Sequence, residues 1–447
     1  MSKTDVVIIG GSAAGLTAGI TSRRHYPDKS VLVIRKEEQV LIPCGIPYIL
    51  GTLGSTSKNL IPDSALTKNG IDLLVDAVES IQRDVKTVTT TNGEVIGYDK
   101  LILATGSNPV LPNIPGITKD GVYVVEKDVD FMNKMYNALN SAKNVVIVGS
   151  GFIGVEFAEE CKMNRDLNVT ILARRQHCLR TPYDEEYSIE AEECLTQKGV
   201  DILSEENVEE FLGDGKVEQV RLSSGKIMPA DMVVIGIGCT ANVGIAKEAG
   251  LKIGPTGGII ANKYMQTSDE DIFTCGDCAE KFSFFDGKPS KLKLASIATT
   301  EARIAGINLF KLKRTNTGVI GVYSTMLNDH AFSGAGLTES AAKAQGYKVF
   351  VGEAAGPNRH PGGMKGMMPL KVKLVFEAGS HILLGGQAVG SKSAGELINV
   401  ISACILHKMT ADDIASFQAG THPGLTASPI AYQLVNAAEM AIVNSMS

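Results

Sequence analysis

Two stretches decide how this chain folds: DVVIIGGSAAGLTAG, Asp5–Gly19, and NVVIVGSGFIGVEFAEE, Asn144–Glu160. Each opens on a β-branched run, passes through a glycine-rich turn and continues in a helix pattern. Each is followed by a second strand pattern, SVLVIRK from Ser30 and NVTILARR from Asn168. Strand, turn, helix and strand in this order make the βαβ unit that binds a dinucleotide. Its glycines allow a tight turn and bring the helix N-terminus close to a pyrophosphate. One such motif says little, but two in one chain, each with a strand before and a helix after, point to two nucleotide sites. The first turn reads Gly10-x-Ser12-x-x-Gly15, with a serine at the second glycine position. The second reads Gly149, Gly151 and Gly154, with Glu156 on the following helix.

The rest of the chain is consistent with a large globular protein. Its 447 residues suffice for about three domains. A hydrophobic content of 44% and 47 glycines predict large cores with many tight turns. The net charge of −6 is mild, and no basic tract suggests nucleic acid as a partner. The opening MSKTDVVIIGG leads straight into a strand, with no signal-peptide pattern and no apolar run fit to span a bilayer. The expectation is a cytoplasmic protein without membrane contact. Its eight scattered cysteines then argue against a structural disulfide framework. Beyond the second unit, MPADMVVIGIGCTANVGIAKEAGL reads as strand and turn, and TSDEDIFTCGDCAE leads to a helix rich in small residues, KLASIATTEARIAGINLF. From about Gly318 the pattern becomes strand, hairpin and helix, an α+β domain.

In this order the pieces resemble the pyridine nucleotide-disulfide oxidoreductases, the two-dinucleotide-binding flavoproteins, over essentially the whole chain. YDKLILATGSNP, Tyr98–Pro109, is similar to that family's ATG segment, and IFTCGDCAE to its second FAD motif. The resemblance implies an α/β fold: two Rossmann-like three-layer nucleotide-binding domains plus a C-terminal α+β dimerisation domain. The expected segments are 1–112 and 241–314 for the two parts of the FAD-binding domain, 113–240 for the NAD(P)-binding domain and 315–447 for the dimerisation domain. It further implies a homodimer with shared active sites. FAD would lie against Gly10, Ser12, Ala13, Gly15, Val78, Thr105, Gly106 and Ala295, with Asp277 on the ribityl hydroxyls. Arg35 and Lys36 stand where the family usually has a ribose-binding glutamate, and Glu37 is the nearest carboxylate to replace it. The nicotinamide nucleotide would lie against Gly149, Gly151, Ile153, Gly154, Glu156 and Gly238. At the place of the acidic residue that would bind the ribose 2′-hydroxyl of NAD stands Ala173, followed by Arg174 and Arg175. Guanidinium groups there suit a 2′-phosphate, which favours NADPH over NADH; two solvated arginines at a strand end are the plain alternative.

LIPCGIPYIL, Leu41–Leu50, contains one cysteine, and the next in the chain is Cys161. A single cysteine in this context resembles the coenzyme A disulfide reductase, polysulfide reductase and NADH oxidase branch, which has one redox cysteine and no Cys-x4-Cys pair. If an apolar helix starts near Gly45, the Cys44 sulfur lies at its positive end, which favours thiolate. A thiolate can attack an S–S bond and cycle through a mixed disulfide, a persulfide or a sulfenic acid. Tyr48 is an expected substrate contact. So are Arg23 and Arg24, which match basic positions used for coenzyme A phosphates and read equally well as a solvated helix face. Pro43 departs from the asparagine usual before the redox cysteine of coenzyme A disulfide reductases. Arg359-His360-Pro361-Gly362 replaces a Tyr-Tyr-Pro-Gly segment. His422-Pro423 resembles the His-Pro of the two-cysteine reductases, with Ala427 where the orienting glutamate would be. His360 and His422 would replace two tyrosines as proton donors, with His360 the less constrained. Ala13 occupies the place of the histidine that oxidase and peroxidase members usually carry, which argues against peroxidase activity. Cys161, Cys178, Cys194, Cys239, Cys275, Cys278 and Cys404 read as packing residues, and no metal site is expected. The function implied is FAD-dependent reduction of a small disulfide or polysulfide, coenzyme A-linked forms included, by NAD(P)H. The alternative is an NAD(P)H oxidase that reduces oxygen through a Cys-sulfenic acid.

Overall fold

The computed structural model describes residues 2–446. The chain divides into two compact units. The first takes the chain up to Asn113, then Tyr123–Ser141 and Ile237–Val319; the second takes Ile114–Val122, Ala142–Gly236 and the chain from Ile320 onward.

The first unit is built on a parallel sheet in the order Asp72–Val75, Val31–Arg35, Ser2–Ile9, Val95–Leu103, Ile272–Thr274. Val6, Val7 and Ile8 are all fully buried, as expected for a strand covered on both faces. An antiparallel ribbon, Val78–Gln82 with Thr87–Thr90, continues the sheet. The helix Ala13–His25 packs against the helix Ala295–Asn308. Small residues make that approach possible: a Cβ on Gly306 would stand 3.0 Å from Ala18 O. Ile272–Thr274 rejoins this sheet only after the chain has built the second nucleotide-binding sheet, so the latter is inserted within the first unit.

One segment lies elsewhere than expected. Residues 123–141, read as part of the NAD(P)-binding segment 113–240, belong to the first unit. The helix Val129–Leu139 buries Met132, Met135 and Leu139 there, and Asn133 accepts a 2.9 Å hydrogen bond from the Thr56 hydroxyl.

The second unit holds a parallel sheet in the order Met232–Ile235, Asn144–Val148, Asn168–Ala173, Val200–Ser204. Its C-terminal part is an antiparallel sheet in the order Val322–Leu327, His330–Gly336, Leu383–Gly390, Pro369–Glu377, Val349–Pro357, with the helices Ala394–Leu406 and Gln433–Ser445 packed on it. A buried polar hub joins the nucleotide-binding and C-terminal parts of this unit. The Asp184 carboxylate accepts from Glu339 N, Ser340 N and Gln387 Nε2, while Asp184 N donates to Gln387 Oε1. The Lys373 side chain, 5% exposed, lies 3.4 Å from Asp184, 2.6 Å from Glu186 and 3.0 Å from Glu339. Among the described residues no helix is long and apolar enough to cross a membrane.

Lys373→Met would strand these carboxylates without their cation and should cost about 3–5 kcal/mol. Lys371→Met breaks the more exposed pair with Glu190, 2.7 Å apart, and should cost about 1 kcal/mol or less. Denaturant unfolding of the two variants beside the wild type measures the contrast.

Candidate active site

The two glycine turns have the same geometry. Gly10 and Gly149 both sit at φ +114°. A Cβ on Gly15 would stand 1.8 Å from Gly10 O, and one on Gly154 1.9 Å from Gly149 O. Ser12 is the N-cap of Ala13–His25 and Gly151 that of Phe152–Lys162, and neither gives a side-chain cap. The first N–H groups of both helices therefore remain available to an anion. Ala13 lies in the first turn of the first helix. No heavy atom stands within 4 Å of a Cβ built on Gly106, Gly151 or Gly238, so space is open above all three. Ile153 is 40% exposed beside the second turn.

Thr105 and Asn242 exchange hydrogen bonds, Thr105 Oγ1 to Asn242 O at 2.6 Å and Asn242 Nδ2 to Thr105 O at 3.3 Å. Asp277 lies in a one-turn 3-10 helix, Gly276–Cys278. Its carboxylate accepts from Ser107 Oγ at 2.9 Å and lies 3.7 Å from Lys127 Nζ. Sequence reading missed Ser107 and Lys127; Lys127 sits in the segment assigned to the other domain. Val78 begins its strand and Ala295 opens its helix, exposed.

Arg35 has an internal role. Its guanidinium donates to Glu37 O, Glu38 O and both carboxylate oxygens of Asp63, and the residue is 4% exposed. Its Cδ lies against Gly11, where a Cβ would come within 2.6 Å. Arg35 thus pins the turn after its strand, and the adjoining Lys36 is exposed.

Cys44 is exposed, but no α-helix starts behind it. Pro43–Gly45 and Pro47–Leu50 are two short 3-10 turns. Pro47 has no N–H to continue a helical ladder. The expected helix-dipole stabilisation of the thiolate is therefore withdrawn. The loop is held by a residue that sequence reading missed, Asn59, 2% exposed. Asn59 Nδ2 donates to Ile42 O, Ile42 N donates to Asn59 O, and a Cβ on Gly45 would stand 1.9 Å from Asn59 Oδ1. Tyr48 is half-buried in the second turn. Arg23 Nη1 donates to Pro27 O and Lys29 O, which ties it to the turn after its helix; Arg24 is the exposed one of the pair. Cys161, Cys178, Cys194, Cys275, Cys278 and Cys404 are buried as expected, whereas Cys239 is exposed, on the short strand Cys239–Ala241.

In the second unit, Glu156 Oε1 accepts from Thr325 Oγ1 at 2.9 Å. Burial pushes its carboxyl up to about 7, against the Thr325 hydrogen bond and with the help of Glu160 and Glu159. Arg174 and Arg175 are exposed just past Ala173, and Arg175 Nη1 donates to Thr181 Oγ1. His360 and His422 lie on adjacent loops, joined by His360 N to Pro423 O at 3.2 Å. His360 Nδ1 is 3.1 Å from Thr426 O, a pure acceptor, so Nδ1 carries a proton and the neutral ring has its lone pair on Nε2. His422 Nδ1 accepts from Gly424 N at 3.1 Å, so the neutral ring carries its proton on Nε2. His360, half-buried and bonded at ring and backbone, is more constrained than the exposed His422. That reverses the expected order.

Known proteins share this architecture. Residues 4–302 match the pyridine nucleotide-disulphide oxidoreductase family and residues 322–430 its dimerisation domain. A Pyrococcus horikoshii NAD(P)H coenzyme A polysulfide/persulfide reductase is 34% identical over 399 residues, 87% of this chain and 88% of that protein. The structure of an NAD-dependent persulfide reductase from A. fulgidus superposes with a TM-score of 0.89 at 32% identity, covering 98% of this chain and 83% of that one. An engineered water-forming NADPH oxidase, made from the Lactobacillus brevis NADH oxidase and bound to NADPH, superposes with a TM-score of 0.89 at 27% identity, covering 99% of each. FAD fits the first unit on its own geometry: an uncapped helix N-terminus for a pyrophosphate, open space over Gly106, and an oriented carboxylate at Asp277. The chain belongs to the pyridine nucleotide-disulphide oxidoreductases, as a flavin enzyme that works with a pyridine nucleotide.

Proposed function

We propose that this enzyme uses NADPH to reduce a small polysulfide or disulfide, coenzyme A-linked forms included, through Cys44, as a homodimer whose active sites draw on both subunits. The observation that carries the reading is the exposed Cys44 on a loop pinned by Asn59, with no second cysteine nearby in sequence to form an internal disulfide. The persulfide-reducing relatives support the substrate class. FAD, when bound, supplies the two-electron relay between nicotinamide and sulfur. Cys44 Sγ, as thiolate, attacks the S–S bond, forms a new S–S bond to one sulfur and expels the other as a thiolate. That leaving thiolate needs a proton. An imidazolium can give it: His422 or His360 would donate in the protonated form, His360 taking up that proton on Nε2 while its Nδ1–H stays on Thr426 O. Both would come from the partner subunit. Arg24 would contribute charge for an anionic substrate.

The NADPH preference rests on Ala173, Arg174 and Arg175. The engineered oxidase carries an adjacent Asp-to-Ala and Ala-to-Arg exchange and is bound to NADPH, and Ala173-Arg174 is the same residue pair. A second reading, oxygen reduction through a Cys44 sulfenic acid, is favoured by the likeness to that oxidase. Ala13, in place of the histidine usual in oxidase members, weighs against it.

Cys44→Ser should keep FAD and lose disulfide or polysulfide reduction, retaining less than about a tenth of turnover. Oxygen uptake, followed with and without added disulfide, separates the two readings: turnover that needs no disulfide would favour the oxidase.

Replacing Arg174 and Arg175 together by alanine should lower kcat/KM for NADPH about 10–100-fold relative to NADH. A wild-type enzyme that already prefers NADH would overturn the cofactor assignment.

A further inference from the structure

Two charged side chains of the first unit have no part in the chemistry at Cys44, yet they are buried together. Lys281 and Glu301 have side chains 3% and 2% exposed, with Nζ and Oε2 2.7 Å apart. The pair grips one residue, Gly276, from both sides. Lys281 Nζ also donates to Gly276 O and Ala279 O, so all three ammonium protons have acceptors. Glu301 Oε2 also accepts from Gly276 N at 2.9 Å. Gly276 is thereby held through both its N–H and its C=O. It is wedged as well: at φ +79°, a Cβ on it would stand 2.8 Å from the Cβ of Ala14, in the first turn of Ala13–His25. The next residue is Asp277, fixed at its tip by Ser107. The other oxygen of Glu301, Oε1, is buried without a hydrogen-bond partner among the described residues. Burial pushes this carboxyl up to about 6, against the pull of Lys281 and Gly276 N–H.

An apolar pair could fill this volume without the desolvation cost of two ions. What an apolar pair cannot do is fix the direction of a turn. We propose that Lys281 and Glu301 are positioning residues for the flavin: they hold the Gly276–Asp277 turn against the start of Ala13–His25 and so set how Asp277 meets the ribityl chain. This rests on the reading of Asp277 as a flavin ligand.

The test uses purified holoenzyme of the wild type, Lys281→Met, Glu301→Gln, the double variant, and Asp277→Asn as reference. Three quantities are read: the rate of FAD release on dilution, the flavin midpoint potential, and the thermal midpoint at saturating FAD. Each single variant leaves a buried charge or carbonyl without its partner, so FAD release should rise about tenfold or more and the thermal midpoint should fall. The double variant strands no charge and should lose less of the thermal midpoint than either single variant, though not regain all of it, because two buried carbonyls stay without donors. It should still release FAD about tenfold faster and keep a shifted potential, because Gly276 O and Ala279 O have lost their donors. If the single variants do not fold, the double variant alone carries the test. Adding the double substitution to Asp277→Asn should speed release by less than about threefold, since both act through one carboxylate. A double variant with wild-type release and potential would overturn the proposal and leave the pair as packing. Full additivity with Asp277→Asn would overturn it too. If Asp277→Asn itself matches the wild type in release and potential, the flavin-ligand reading of Asp277 fails instead.

Discussion

At Gly15 and Gly154 a helix comes so close to the turn before it that a Cβ would stand 1.8 and 1.9 Å from a carbonyl oxygen. No side chain can relieve that contact without lifting the helix off its strand. Both nucleotide folds depend on it, because it aims the uncapped N–H groups of each helix at one point. In the first unit, two further contacts lean on the same turn. Arg35 presses on Gly11 with Cδ, and Gly276 presses on Ala14. The end of the second strand and the Asp277 turn are thereby registered to the glycine turn through its backbone and small side chains. Ser12 can replace a glycine there because it sits at the N-cap with φ −89°, a conformation open to any residue.

What the sequence makes legible is local. The β-branched runs, the glycine turns and the ATG segment each occupy a few consecutive residues, and the structure has them as βαβ units and a linked turn. The helix expected after Cys44 failed for a local reason too: Pro43 and Pro47 break the ladder into two 3-10 turns. The rest depends on partners far along the chain. Arg35 meets Asp63 across 28 positions, and Ser107 meets Asp277 across 170. No periodicity or spacing encodes such pairs. The placement of residues 123–141 is of the same kind, since Met132, Met135 and Leu139 make an amphipathic helix that could have packed in either unit.

Buried charge recurs where backbone direction has to be fixed. Asp184 and Lys373 orient the start of Glu339–Ala344 in the second unit, and Lys281 and Glu301 hold Gly276 in the first. Apolar contacts stabilise by area and tolerate rotation. Ions with every proton and most lone pairs engaged do not. The buried Arg35 follows the same rule in the first unit: paired with Asp63, its guanidinium fixes the carbonyls of Glu37 and Glu38.

If Cys44 is the single redox cysteine, as proposed, its chemistry sets a constraint that the two histidines would address. Without an internal second thiol, each attack by Cys44 would expel a thiolate into the site, and protonating that thiolate would favour the forward direction. A donor must therefore be at hand at neutral pH, along with a group that can take a proton when thiolate is regenerated. The hydrogen bonds of the two loops fix opposite tautomers in the neutral rings. Thr426 O draws the His360 proton to Nδ1 and bares Nε2, while Gly424 N–H takes the lone pair of His422 Nδ1 and leaves its proton on Nε2. Two tyrosines could each give a proton but, with pKa values near 10, would seldom accept one back at neutral pH. An imidazole cycles between imidazolium and neutral ring near neutral pH, so under the proposed reading a histidine could both give the proton and take one back, which would give the departures at His360 and His422 a common chemical reason.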